Sequence, residues 1–149
     1  MKIKYWHIIP LLIFILSAYY LLSGSEILVK PLWYNPYIPL GTLITWLGLI
    51  SLELLLYVVT NITISKTGLL NIIIRYSVLI LLILAILWAP IAYALSGNFA
   101  FDFSNSSQLV GLEASRVFWY FSYFLGSAAI FFFFILSFLL IFRPLQKNN

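Results

Sequence analysis

The chain has 149 residues, of which 64% are hydrophobic and 8% charged, with a net charge of +4, no cysteine and one histidine. Soluble domains carry roughly 25% charged residues, so this composition excludes a water-soluble fold and makes lipid the solvent. The scattered positive charge excludes a nucleic-acid patch. The lack of thiols excludes disulfides, thiolate metal sites and iron–sulfur clusters, and the single His7 excludes a haem held by two histidines of this chain.

The first predicted transmembrane helix covers residues 5–23. Lys2, Lys4, Tyr5, Trp6 and His7 precede an apolar run from Ile8 to Leu22, with Pro10 in the first turn, where a missing N–H costs little. The same basic start, apolar run and small residues Ser23 and Ser25 also fit a signal peptide. Trp6, Tyr19 and Tyr20 fit interfacial anchoring and favour a retained helix over a signal peptide, and His7 reads as an interface residue rather than a ligand. Ser23-Gly24-Ser25 ends the run. The segment to Pro39 carries Pro31, Pro36, Trp33, Tyr34 and Tyr37, so it reads as a loop lying at the headgroup level.

The second helix is predicted over 40–60. Gly41, Thr45 and Gly48 form a small-residue stripe that lets another helix approach. Glu53 lies about 120° round from Gly41, on a face shared with Thr42, Trp46, Tyr57 and Thr60. A polar turn over 61–68 leads into a third helix over 69–95, with Asn71 and Arg75 early and a kink expected at Pro90. In the loop that follows, Phe99, Phe101 and Phe103 alternate with Ala100 and Asp102, which predicts an extended piece with its rings on one side. Asn105-Ser106-Ser107 matches a glycosylation acceptor, a pattern common by chance. The fourth helix is predicted over 117–142, between Arg116 and Arg143. Its Ser122 and Gly126 form a small-xxx-small packing pair, and Phe131–Phe134 is a four-ring run that must include lipid contact.

Lys2, Lys4, Lys66, Arg143 and Lys147 fall at the ends and the middle turn, whereas the two long loops hold Lys30 and Arg116 against Glu26, Asp102 and Glu113. The positive-inside rule therefore places both termini in the cytoplasm. The predicted architecture is an all-α, single-domain, four-helix membrane bundle in the cell membrane.

An acidic group at mid-helix costs on the order of 3 kcal/mol on insertion scales, so Glu53 must face the bundle, carry a proton or find a partner. With helix two ending near Thr60 and helix three starting near Leu69, Glu53 is level with Tyr76. Arg75 is then a candidate ion-pair partner, although side-chain tilt toward each helix's own N-terminus separates the two and favours a snorkelling Arg75. Three roles for Glu53 remain open: a tie between helices or subunits, proton or cation handling, and contact with a substrate or quinone.

Gly24, the run Glu53-Leu54-Leu55-Leu56 and the segment Ala94-Leu95-Ser96-Gly97 together resemble the DoxX/MauE-like small four-helix membrane proteins. The basic residue that closes helix two in those families, and the cysteines some members carry after helix three, are missing here. The resemblance implies association with membrane redox or respiratory systems and supplies no catalytic residues. The functional expectation is a non-catalytic subunit or assembly factor, without cofactor, that contacts lipid and other membrane subunits or its own copies. The alternative is a small oligomeric proton, ion or solute transporter working through Glu53. An enzyme is disfavoured because lone Ser, Tyr and Glu residues form no catalytic constellation.

Overall fold

A computed structural model describes residues 8–65, 67–101, 103 and 110–142, the side chains of 110 and 142 excepted. The readings placed on His7 and the basic start, on Lys66, on Asp102, on the 105–107 acceptor pattern and on the tail from Arg143 lie outside the described residues. The described chain is mostly helical: α1 (Ile8–Ser23), a 3-10 turn (Glu26–Val29), strands β1 (Pro31–Tyr34) and β2 (Tyr37–Pro39), then α2 (Leu40–Thr63), α3 (Leu69–Ile86), α4 (Trp88–Ser96) and α5 (Val110–Phe142).

Three helical stretches, Leu40–Thr63, Leu69–Ile86 and Gly111–Ile141, are long and apolar enough to cross a bilayer, which makes the chain a multi-pass membrane protein. With 33 residues, α5 is about 50 Å long, well beyond a hydrocarbon core of about 30 Å. It must tilt or project. Its first turns, where Glu113 and Arg116 are exposed, are the part suited to leave the hydrocarbon.

The segment after α1 is not a plain loop. Gly24 closes α1 at φ +59, in the left-handed region that glycine tolerates. Beyond the 3-10 turn, β1 and β2 pair antiparallel, with Trp33 opposite Ile38 and Tyr34 opposite Tyr37, and the Asn35–Pro36 peptide at the tip is cis. The Tyr37 hydroxyl donates to the Val29 carbonyl at 2.8 Å. Trp33, Tyr34 and Tyr37 are exposed on this hairpin.

Helix α2 is central, packing against α1, α3 and α5. The Gly41–Gly48 stripe supplies the first contact. A Cβ on Gly48 would fall 2.9 Å from Ser17 Cβ of α1, and one on Gly41 would fall 2.8 Å from the Leu28 carbonyl oxygen of the 3-10 turn. Thr45, between them, is half-buried. The Ser122–Gly126 pair behaves differently. A Cβ on Gly126 would meet nothing within 4 Å, so that glycine brings no helix close. The buried stripe of α5 is instead Gly111, Ala114, Phe118, Leu125, Ala129 and Leu136, at helical spacing. Ser122 serves as a hydrogen-bond bridge: its hydroxyl accepts from Trp88 Nε1 of α4 at 2.9 Å and donates to the Phe118 carbonyl at 2.8 Å.

The third predicted helix is two helices, with a turn at Leu87 (φ −79, ψ −3). The break lies one turn before Pro90, and its cause is legible. Proline has no N–H to give the carbonyl four residues earlier, which is that of Ile86. Trp46 of α2 fills the gap, its Nε1–H lying 3.1 Å from the Ile86 oxygen and 3.2 Å from that of Ala85. The phenylalanines after α4 are not extended. Residues 99 and 100 form a turn, and Phe101 adopts φ +53. Phe99 stacks on Tyr93, whereas Phe101 and Phe103 both pack on Phe118, with Phe101 also edge-on to Trp88.

Candidate functional site: a sheltered carboxyl

Glu53 is fully buried, on a face of α2 that also buries Leu56 and Thr60. Among the described residues, neither carboxylate oxygen has a hydrogen-bond partner, and neither does Thr60 Oγ1. Thr60 lies about two turns along the same face, roughly 10 Å away in rise, so the two orphans do not serve each other. The group is sheltered by helices, as the sequence required, but it is not held by them.

The ion pair with Arg75 is not formed. The Arg75 guanidinium donates instead to Asn61 Oδ1. The reason is register. Helix α2 runs to Thr63, close to one turn beyond the predicted end near Thr60. The Asn61 Nδ2–H, bonded to the Tyr57 carbonyl at 2.8 Å, lies in that continuing turn. Extending α2 slides Glu53 away from Arg75. The cross-links between Trp46 and Ala85–Ile86 at one end of the α2–α3 pair and between Asn61 and Arg75 at the other bracket Glu53 and leave it level with Ile80 rather than Tyr76. Tilt toward each helix's own N-terminus widens the separation further.

The polar positions predicted inside the membrane therefore divide. Glu53 lies in the core, where Ser51 and Thr60 of α2 are also buried. Arg75, Asn61 and Tyr57 gather nearer the α2–α3 turn, with Tyr57 half-buried. Asn71 belongs to neither group: its Nδ2–H donates to the Thr67 carbonyl at 2.7 Å, tying down the start of α3. In the sequence Asn61 falls within the polar turn over 61–68 and does not stand out. Its position four residues after Tyr57 and its amide, able to donate and accept at once, were the available signal.

Among the described residues, two apolar clefts flank the core. One, of about 570 Å³, runs between α3 and α5 past Leu81, Leu84, Ala128 and Phe132. The other, of about 530 Å³, opens between α1 and α5 over Leu52, Leu55 and Val59 of α2, with Ser137 on its rim. The three-dimensional arrangement thus defines a multi-pass helical membrane protein that, among the described residues, has one unpartnered buried carboxyl and two apolar lateral clefts. No protein-family model, curated protein or solved structure matches the chain.

Proposed function

We propose that the chain is a non-catalytic subunit or assembly factor of a larger membrane complex, seated with four spans in the cell membrane and both termini in the cytoplasm. On this reading α1 is the first span, α3 and α4 jointly form the third, and partners or further copies of the chain lie against α5. The observation that carries the proposal is the open cleft between α1 and α5, floored by Leu52, Leu55 and Val59. A helix of another subunit would complete this wall, since helix association in lipid depends on close packing of such surfaces. The assembly role falls to this outer wall rather than to Glu53, which is buried inside its own bundle. A respiratory or redox complex is favoured by the resemblance to DoxX/MauE-like proteins. Gentle solubilisation of the native membrane is expected to co-purify companion membrane proteins, and a photo-crosslinker at Ser137 should join this chain to one of them. A chain that runs alone and forms no crosslink from Ser137 would overturn the proposal.

A second reading is favoured by one observation, the two unpartnered oxygens of Glu53. A carboxylate cannot persist alone in an apolar interior, so a proton or small cation must meet it there. On this reading the chain carries that ion across the membrane. Proteoliposomes containing only this chain should then show flux that Glu53→Gln abolishes, and an absence of flux in the parent chain would remove the reading.

A further inference from the structure

Away from Glu53, the flank of the α2–α3 hairpin holds a cavity of about 440 Å³ lined by Tyr57, Asn61, Ile72, Arg75, Tyr76 and Leu79. We infer that this cavity is a binding site for the phosphate of an anionic membrane lipid, with Arg75 as its principal ligand. The guanidinium is prepared for that task. Asn61 donates through Nδ2 to the Tyr57 carbonyl, which fixes the amide so that Oδ1 faces Arg75. One N–H of the guanidinium is thereby anchored, and the planar fork has five N–H donors in all. A fork held at one end, with donors still to satisfy, suits two phosphate oxygens better than a mobile lysine would. Among the described residues the lining holds no acidic side chain to neutralise the charge, and the phenols of Tyr57 and Tyr76 bring further polar groups to the same walls.

Depth and direction select a lipid over a soluble anion. Arg75 is less than two turns from the start of α3 at Leu69, roughly 9 Å of rise. Its side chain leans back toward that start, where Ser65 and Thr67 are exposed. The guanidinium is therefore near the boundary between hydrocarbon and headgroups, where basic pockets between spans hold phosphate groups. Tyr76, which lines the cavity, is 63% exposed, while Leu79 lies a turn deeper and offers an apolar wall for an acyl chain.

The test is native mass spectrometry of the detergent-purified chain titrated with dioleoyl phosphatidylglycerol, with dioleoyl glycerol (the same chains without phosphate) and inorganic phosphate as the other arms. Phosphatidylglycerol should be retained, dioleoyl glycerol should not, and millimolar inorganic phosphate should not displace the bound lipid. Arg75→Gln should weaken retention by roughly tenfold or more. Should that variant fail to fold, Asn61→Ala keeps the charge but frees its anchor and should give a smaller loss. Retention equal to the parent chain in whichever variant folds overturns the site. Equal retention of dioleoyl glycerol, or displacement by inorganic phosphate, also overturns it, the first by making acyl chains sufficient and the second by making the ligand a soluble anion.

Discussion

Replacing Glu53 with methionine is expected to raise the stability of the folded chain by roughly 1–3 kcal/mol, measured by unfolding in mixed micelles of rising denaturing-detergent fraction. The sign is the informative part. Removing a buried acid ordinarily destabilises, because the acid is bonded to something that is then left behind. Here both oxygens lack a hydrogen-bond partner among the described residues, so no partner is orphaned by the change. Methionine is similar in length, unbranched and apolar, and can occupy the space with little strain. Glutamine makes a useful comparison. Its amide brings donors and an acceptor into the same apolar surroundings, so Glu53→Gln should gain little or nothing. The expected order is methionine above the parent chain, with glutamine near the parent. A drop of similar size on Glu53→Met would mean that the carboxyl ties the helices together, and the description of Glu53 as unheld would be wrong.

The same residue shows how far the sequence alone could go. That Glu53 is sheltered follows from cost: a carboxyl in the middle of an apolar helix is too expensive to face lipid. What it touches does not follow, because contact across an antiparallel pair depends on where each helix ends. The starts of α2 at Leu40 and α3 at Leu69 were legible, since Pro39 and Gly68 immediately precede them. The end of α2 was not. Asn61 and Thr63 are residues that often compete with a helix, yet here Asn61 bonds back to the Tyr57 carbonyl and the helix continues. Those few residues moved Arg75 out of reach of Glu53.

The start of α5 was hidden by another cause. Glu113, Ser115 and Arg116 give 110–116 the look of a loop, but Gly111 and Ala114 in the same stretch are buried in line with Phe118. The period of the buried residues was the better guide than the polarity of those on the opposite side. The break before α4 was half legible. Pro90 announced a disturbance, and only the structure showed Trp46 reaching across from α2 to the carbonyls of Ala85 and Ile86.

Small residues were the least secure signal, because glycine in a membrane helix marks a close approach only where another backbone arrives. Gly41→Ala and Gly48→Ala should each destabilise by roughly 1–3 kcal/mol, whereas Gly126→Ala should be neutral or gain up to about 1 kcal/mol of helix propensity. At Gly41 the new methyl would lie 2.8 Å from the Leu28 carbonyl oxygen, and at Gly48 it would lie 2.9 Å from Ser17 Cβ, both anchored atoms rather than the free ends of side chains. At Gly126 there is open space. The same mixed-micelle unfolding measurement ranks the three. A double-mutant cycle isolates the contact, since Ser17→Gly removes the atom that Gly48→Ala strikes and the two changes together should cost less than their sum. Strict additivity, or a Gly48→Ala chain as stable as Gly126→Ala, would mean that α1 is not seated against α2 at Ser17. The cleft between α1 and α5 depends on that seating, so the proposed partner surface stands or falls with it.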